Sequence, residues 1–280
     1  MKKITTLIIA IAALLVSCDK IEGPYVVSSG REAVTVDFPE IDGGVYRKVL
    51  LEEYTGHRCV NCPSAHQKLE ELHGIFQDTL ITVGIHATAL ANTTMSFPYD
   101  FRTEAGNQLA NDFGISSVPA GIVNRVPHTG GWGKDEWYNK IMEVDRSKVF
   151  AAIQVINQYD FPATGNLKVN AKVSMLEAYE HPLSLSLFLI EDGIIKPQMD
   201  GEEMVTEYTH NHVMRAAING TYGGMLTENG VLEKGNGYTY GYSVSFAGKD
   251  WVPEHCSVVA ILFDKVTGEV LQVEKAPVIL

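Results

Sequence analysis

Two cysteines separated by two residues, Cys59-Val60-Asn61-Cys62, stand where a strand-like run gives way to a helix-like one. Arg47 to Tyr54 reads as a strand, with Val49, Leu50, Leu51 and Tyr54 as its apolar content. Pro63 suits a first helical turn, where its missing N–H costs nothing. From Ala65 to Phe76 the apolar residues Ala65, Leu69, Leu72 and Phe76 recur at intervals of three and four, the spacing of an amphipathic helix. A cysteine pair at a helix start puts its first sulfur beside unpaired backbone N–H groups and the positive end of the helix dipole. That setting favours thiolate over thiol. Two intervening residues also bring the sulfurs within reach of one disulfide across a turn, so the position supports reversible dithiol–disulfide exchange.

The pattern around this junction alternates strand and helix. Leu80 to Ile85 reads as a second strand. Asn107 to Phe113 reads as the end of a helix stopped by Gly114, and Val118-Pro119 opens a strand over Ala120 to Val123. Asp135 to Arg146 reads as a helix capped by Asp135, with Trp137, Ile141 and Val144 on its apolar face. After about residue 148 the period changes to two. Ala152–Val155, Leu167–Met175, Leu183–Ile190, Tyr238–Phe246, Val258–Phe263 and Val270–Val273 read as strands, which predicts an all-β immunoglobulin-like sandwich. Met199 to Gly237 is the least regular stretch and reads as a long loop or a broken hairpin. Arg31 to Pro39 alternates through Ala33, Val34, Val36 and Phe38 and is expected to be a leading strand.

The N-terminus addresses compartment. Lys2 and Lys3 precede an apolar run, Ile4 to Val16, which at about a dozen residues is short of the roughly 20 that a spanning helix needs. A processed signal over residues 1–17 is the better reading. Its end, Leu15-Val16-Ser17-Cys18, resembles the lipobox of bacterial lipoproteins. That resemblance implies a mature chain that begins at a lipidated Cys18 and is held at a membrane by its acyl chains. The formal net charge is −12, and removal of the signal's two lysines leaves the mature chain near −14. No basic stripe for a phosphate backbone exists, so nucleic acid is not an expected partner. The expected organisation is residues 1–17 as signal, 18–45 as tether and leading strand, 46–148 as a mixed α/β domain and 149–280 as the β domain.

The strand, Cys59-x-x-Cys62, helix arrangement resembles the thioredoxin superfamily. The resemblance makes Cys59 the attacking cysteine and Cys62 the resolving one. It makes Glu53, six residues before Cys59, the buried acid that manages the resolving cysteine's proton. Phe113-Gly114-Ile115-Ser116-Ser117-Val118-Pro119 resembles the family's segment before its cis-proline, which makes Pro119 the residue that faces the disulfide and presents backbone to a bound peptide. The chain departs from thioredoxins in carrying Arg58 before the first cysteine and Val60-Asn61 between the two, so partner recognition must differ. Over nearly the whole mature chain, Glu53-Tyr54-Thr55-Gly56-His57-Arg58-Cys59-Val60-Asn61-Cys62-Pro63 with Val118-Pro119 resembles the Omp28 family of outer-membrane lipoproteins. That implies a thioredoxin-like domain followed by a β-sandwich, anchored at the outer membrane, on the periplasmic or the surface face.

Three functions fit these residues. The first is a thiol–disulfide oxidoreductase acting on an unidentified envelope protein, with Cys59, Cys62, Glu53 and Pro119 as its site. The second is a surface binding or adhesion protein in which the disulfide is a structural clip. The third, metal binding by His57, Cys59, Cys62 and His66, needs the loop to fold back for convergence on one ion, so neither a metal nor a cofactor is assigned. His86 is expected as a polar strand-end residue, His210-Asn211-His212 as a solvated loop, and Cys256 as a small core residue in an apolar strand.

Overall fold

A computed structural model describes residues 31–126, 129–160, 163–227 and 231–279. The signal run and Cys18 lie outside the described residues. Within them the chain forms strands β1 (Val49–Thr55), β2 (Leu80–His86), β3 (Ala120–Val123), β4 (Ala151–Asp160), β5 (Asn166–Met175), β6 (Leu183–Glu191) and β7 (Ile194–Asp200). It continues with β8 (Glu203–His210), β9 (Val213–Ala217), β10 (Gly224–Met225), β11 (Gly237–Ser245), β12 (Cys256–Asp264) and β13 (Val270–Pro277). Three α-helices interrupt the first half: α1 (Cys62–Phe76), α2 (Glu104–Asp112) and α3 (Trp137–Glu143). No helix among the described residues is long and apolar enough to cross a membrane.

One mixed sheet runs β13-β12-β6-β9-β2-β1-β3, with β10 paired to β6 off this path. β1 and β2 are parallel, and β3 runs antiparallel to β1. Every residue of β1, β2 and β3 is buried, as expected for strands covered on both faces. On one face Ala65, Leu69 and Leu72 of α1 pack with Trp137 and Ile141 of α3 against Val49, Leu51 and Val123. On the other, Ala105, Leu109 and Ala110 of α2 pack against Leu50, Tyr54, Ile81, Val83 and Ile85. The Thr103 hydroxyl caps α2 by accepting from the Gly106 N–H at 2.9 Å. The helix stops at Gly114, at φ +65, where the Ile115 N–H returns to the Ala110 carbonyl at 2.8 Å.

The single sheet carries this core across residue 148. Gly84 of β2 pairs with Val213 of β9, and β9 pairs in turn with β6. Phe188, Ile190, Val259, Ile261 and Phe263 therefore share a core with α2. The alternate residues Leu185, Leu187, Leu189, Val258, Ala260 and Leu262 face the other way and meet a three-stranded antiparallel sheet, β11-β5-β4. β6 is buried along its whole length because it serves both cores.

Two expectations need correction, and a third resolves between its alternatives. Arg31 to Pro39 is not a strand: Glu32 makes one isolated bridge to Gly241. The segment then touches Asn170 through Thr35 and accepts from Gln154 at the Pro39 carbonyl. Those partners lie on β11, β5 and β4 in turn, so the segment crosses the three-stranded sheet instead of pairing along it. Its alternation is real, because Val34, Val36 and Phe38 are the half-buried residues, but it reflects contact with the sheet face. α3 starts two residues later than expected. Its N-cap is Glu136, with no side-chain bond to the helix, while Asp135 pairs with Lys134 in solvent. Of the two readings of Met199 to Gly237, the broken hairpin is the one seen at its start. β7 and β8 form a hairpin with Gly201-Glu202 as its two-residue loop and Gly201 at φ +57. Glycine at the first position of a two-residue loop is a hairpin signal, but Pro197 inside β7 masks it, and the register shifts between Lys196 and Gln198 to accommodate the missing donor.

Candidate functional site

β1 ends at Thr55, and four residues later the chain enters α1 through the cysteine pair. Cys59 and Cys62 are joined in a disulfide with Cα atoms 5.4 Å apart. The turn is closed by the Cys59 N–H donating to the Gly56 carbonyl at 2.9 Å and the Cys62 N–H to the Cys59 carbonyl at 3.3 Å. Pro63 occupies the first turn of α1, and its N-cap, Asn61, makes no side-chain cap bond.

The loop before the disulfide is pressed against residues 88–91. The Arg58 N–H donates to the Leu90 carbonyl at 3.0 Å and its guanidinium to the Ala89 carbonyl at 3.2 Å. A Cβ at Gly56 would stand 2.7 Å from the Leu90 carbonyl carbon and oxygen. Only glycine fits there, which gives the Thr-Gly-His run a steric cause. Gly56→Ala should cost about 1–3 kcal/mol in urea unfolding, the range for overpacking against backbone that cannot swing away. An unchanged midpoint would refute this packing.

The Cys59 Sγ lies 3.5 Å from the Val118 carbonyl oxygen, and the Val118–Pro119 peptide bond is cis. Ser116 and Ser117 are exposed, and Val118 and Pro119 are half-buried. Glu53 sits in the middle of β1, opposite Gly84 and Gly121. It is 2% exposed, and its Oε1 has no hydrogen-bond partner. That oxygen lies 3.6 Å from the Nε2 of His66, one helical turn beyond Cys62. The disulfide and the Val118 carbonyl thus meet where β1 gives way to α1, and Glu53 lies in the strand that leads there, against His66.

The structure adds a roof that the sequence reading missed. The β7–β8 hairpin folds back over the loop: the Met199 N–H donates to the His57 carbonyl at 2.8 Å and the Gly201 N–H to the Val60 carbonyl at 3.0 Å. The Gln198 amide, fully buried, donates to the carbonyls of Gly56 and Cys59 at 3.3 and 3.0 Å. Cys59 is 2% exposed and Cys62 is 0%, whereas Val60 is 44% exposed.

Under this roof lies a cluster of rings. His86 stacks on Phe101 at 4.3 Å, His57 on Phe97 at 5.2 Å, and His210 sits 4.5 Å from Phe101. His86 is not a polar strand end, since it is buried with neither ring nitrogen hydrogen-bonded. His210 is not solvated either, for it ends β8 at 2% exposure. Burial holds His57 below its ordinary value, pushes His86 well below it and pushes His210 down to about 3. All three are therefore neutral near pH 7. Among the described residues no group of three or more His, Cys, Asp or Glu is placed to hold a metal ion. Cys256 is buried in β12, and burial raises its thiol far above the ordinary range.

Comparison with known proteins matches residues 106–279 to the family described as "Outer membrane protein Omp28". The matched span begins after the cysteine pair and includes Val118-Pro119. Among solved structures, HBP35 of Porphyromonas gingivalis is similar in fold, with a TM-score of 0.57 and 14% identity over 84% of this chain and 76% of that one. A domain of the outer membrane lipoprotein Omp28 from Porphyromonas gingivalis aligns at 26% identity, covering 48% of this chain and 93% of that chain with a TM-score of 0.32. No curated protein matches the chain.

Proposed function

Because the chain belongs to the Omp28 family of outer membrane proteins, we propose that it works in the cell envelope as a lipid-anchored thiol–disulfide exchange protein. Cys18 carries the lipid. Residues 46–148 form a thioredoxin-like domain and residues 149–280 an immunoglobulin-like sandwich. The order β2-β1-β3, with α1 and α3 on one face and α2 on the other, supports the first assignment. The facing β11-β5-β4 and β6-β12 layers support the second.

The observation that carries the redox reading is the Cys59 sulfur at 3.5 Å from the Val118 carbonyl. An extended peptide that pairs with the half-exposed backbone there would bring its own sulfur to Cys59. Cys59 is attacked first, Cys62 leaves and later resolves, and Glu53, buried in β1, manages the Cys62 proton.

A second reading keeps the disulfide as a clip that holds the loop for the hairpin. It is favoured by the near-complete burial of both cysteines and by the bonds from Met199, Gly201 and Gln198. The reduction potential of the mature protein discriminates. Exchange chemistry requires a value above about −300 mV, the level below which structural bridges sit. It also requires that the unmutated chain accelerate reduction of a peptide disulfide by dithiothreitol and that Cys59→Ser abolish this acceleration. A potential far below that level, with no turnover by the unmutated chain, would establish the clip.

A further inference from the structure

Glu53 is 2% exposed, and its unpartnered Oε1 has no direct hydrogen-bonded route to water. A buried carboxyl that gives and takes protons needs one. Cys62 and His66 stand at i and i+4 of α1, so they share one face of the helix. The His66 ring bridges inward and outward together. Its Nε2 lies 3.1 Å from the Thr55 hydroxyl and 3.6 Å from Glu53 Oε1, and its Nδ1 lies 2.7 Å from the Tyr208 hydroxyl on β8. The His66 side chain is 21% exposed. A cavity of about 30 Å³, lined by Glu53, Thr55, His66, Thr82, His86 and His210, lies beside the carboxyl. That is room enough for at least one water.

We propose that His66, seated by Tyr208, passes protons between solvent and Glu53 while the Cys59–Cys62 disulfide is reduced and re-formed. The inference rests on the redox reading of the site. The ring takes a proton at Nδ1 from the Tyr208 hydroxyl, which is refilled from solvent in the same step, and releases one at Nε2, so it conducts without rotating. In the reductive half, a thiolate of a dithiol partner attacks the Cys59 Sγ. The new partner–Cys59 bond forms, the Cys59–Cys62 bond breaks, and the electron pair leaves on the Cys62 Sγ. Glu53 protonates that thiolate and is reprotonated through His66. The partner's second thiolate then attacks its own sulfur in the mixed disulfide and expels Cys59 as thiolate. The partner is oxidised by two electrons and this disulfide is reduced by two. Of the partner's two protons, one is balanced on Cys62 and the other enters solvent.

The groups facing His66 leave it this role. Glu70 lines the same cavity from α1 and His212 from beyond β8. His86 from β2 and His210 from β8 are held neutral by burial. Burial, with Glu53 beside it, pushes the Tyr208 hydroxyl up to about 12, so it rests protonated, donates to Nδ1 and regains from solvent the proton it passes inward. Tyr208 reaches the site only because the hairpin does, which gives the roof a part in the chemistry as well as in burial.

The test follows the rate of reduction of the full mature chain by dithiothreitol between pH 6 and 9, at constant dithiothreitol thiolate. His66→Ala should slow reduction at least about 10-fold, less than the full loss of a general acid because water reaches the emptied space. Added imidazole should restore the rate in proportion to its concentration. His66→Gln retains amide bonds to Thr55 and Tyr208 but cannot conduct, so it should be as slow and should keep the unmutated urea midpoint. Reduction of both variants at the unmutated rate, or slow reduction of His66→Ala that imidazole leaves unchanged, would overturn the relay while leaving the redox reading intact. An unmutated chain that dithiothreitol does not reduce would overturn both.

Discussion

Replacing Arg125 with alanine should lower the free energy of unfolding by about 3–5 kcal/mol, the cost of stranding one member of a buried ion pair. Glu52 and Arg125 have side chains 0% and 1% exposed, and Arg125 Nη2 and Nε approach the carboxylate at 2.6 and 3.0 Å. The guanidinium lies between the rings of Phe113 and Phe263, at 5.6 and 5.2 Å. Phe263 belongs to β12, so the pair ties the first strand of the chain to the sheet of the second half. Arg125 also takes a left-handed backbone, φ +60, after Asn124 at φ +45. The Asn124 side chain accepts from the Leu50 N–H, and its carbonyl accepts from the Val270 N–H, which holds that turn on both halves. Urea unfolding at pH 7 reads the effect. The paired replacement Glu52→Leu with Arg125→Met should recover most of the loss, because it removes both charges and fills similar volume. A loss below about 1 kcal/mol for Arg125→Ala would mean that Glu52 finds water or a proton, contrary to its burial.

Acid should weaken the fold well above the range in which carboxylates titrate. Burial depresses His57, His86 and His210 in the folded chain, whereas an unfolded histidine titrates near 6.5. The unfolded chain therefore binds these protons first. Stability is fully present above about pH 6.5 and declines as pH falls from there towards each folded value, about 3 for His210. His210 alone should remove about 2 kcal/mol between pH 6.5 and pH 5, at about 1.4 kcal/mol per unit, and His86 adds in the same direction. Carboxylates held low by partners, such as Asp192 at about 2, lose their contribution only below about pH 4 and lie outside this window. His86→Phe should raise the urea midpoint at pH 7 and flatten its fall to pH 5. It preserves the stack on Phe101 and deletes two buried nitrogens that bond to nothing. Equal midpoints at pH 7 and pH 5 for the unmutated chain would show that these rings are already solvated.

Local order along the chain was legible wherever one residue type has one conformational use. The spacing of Ala65, Leu69, Leu72 and Phe76 determined α1. Gly114 determined the end of α2, and the strand over Ala120–Val123 appears with the expected bounds. The cysteine pair marked the strand–helix junction because the two-residue spacing permits one short bridge. Contacts between segments far apart were not legible. Nothing in Gly84 announces a partner at Val213, because a backbone pairing carries no side-chain signature. His86, His210 and His66 were individually polar, and only the return of the β7–β8 hairpin over α1 placed two of them in a buried ring cluster and the third against Tyr208. The sequence by itself determined periodicity, turns and the position of the sulfurs, all set by interactions within a few residues. The tertiary structure alone decided which sulfurs and imidazoles are shielded from water, because burial depends on what distant chain packs above them.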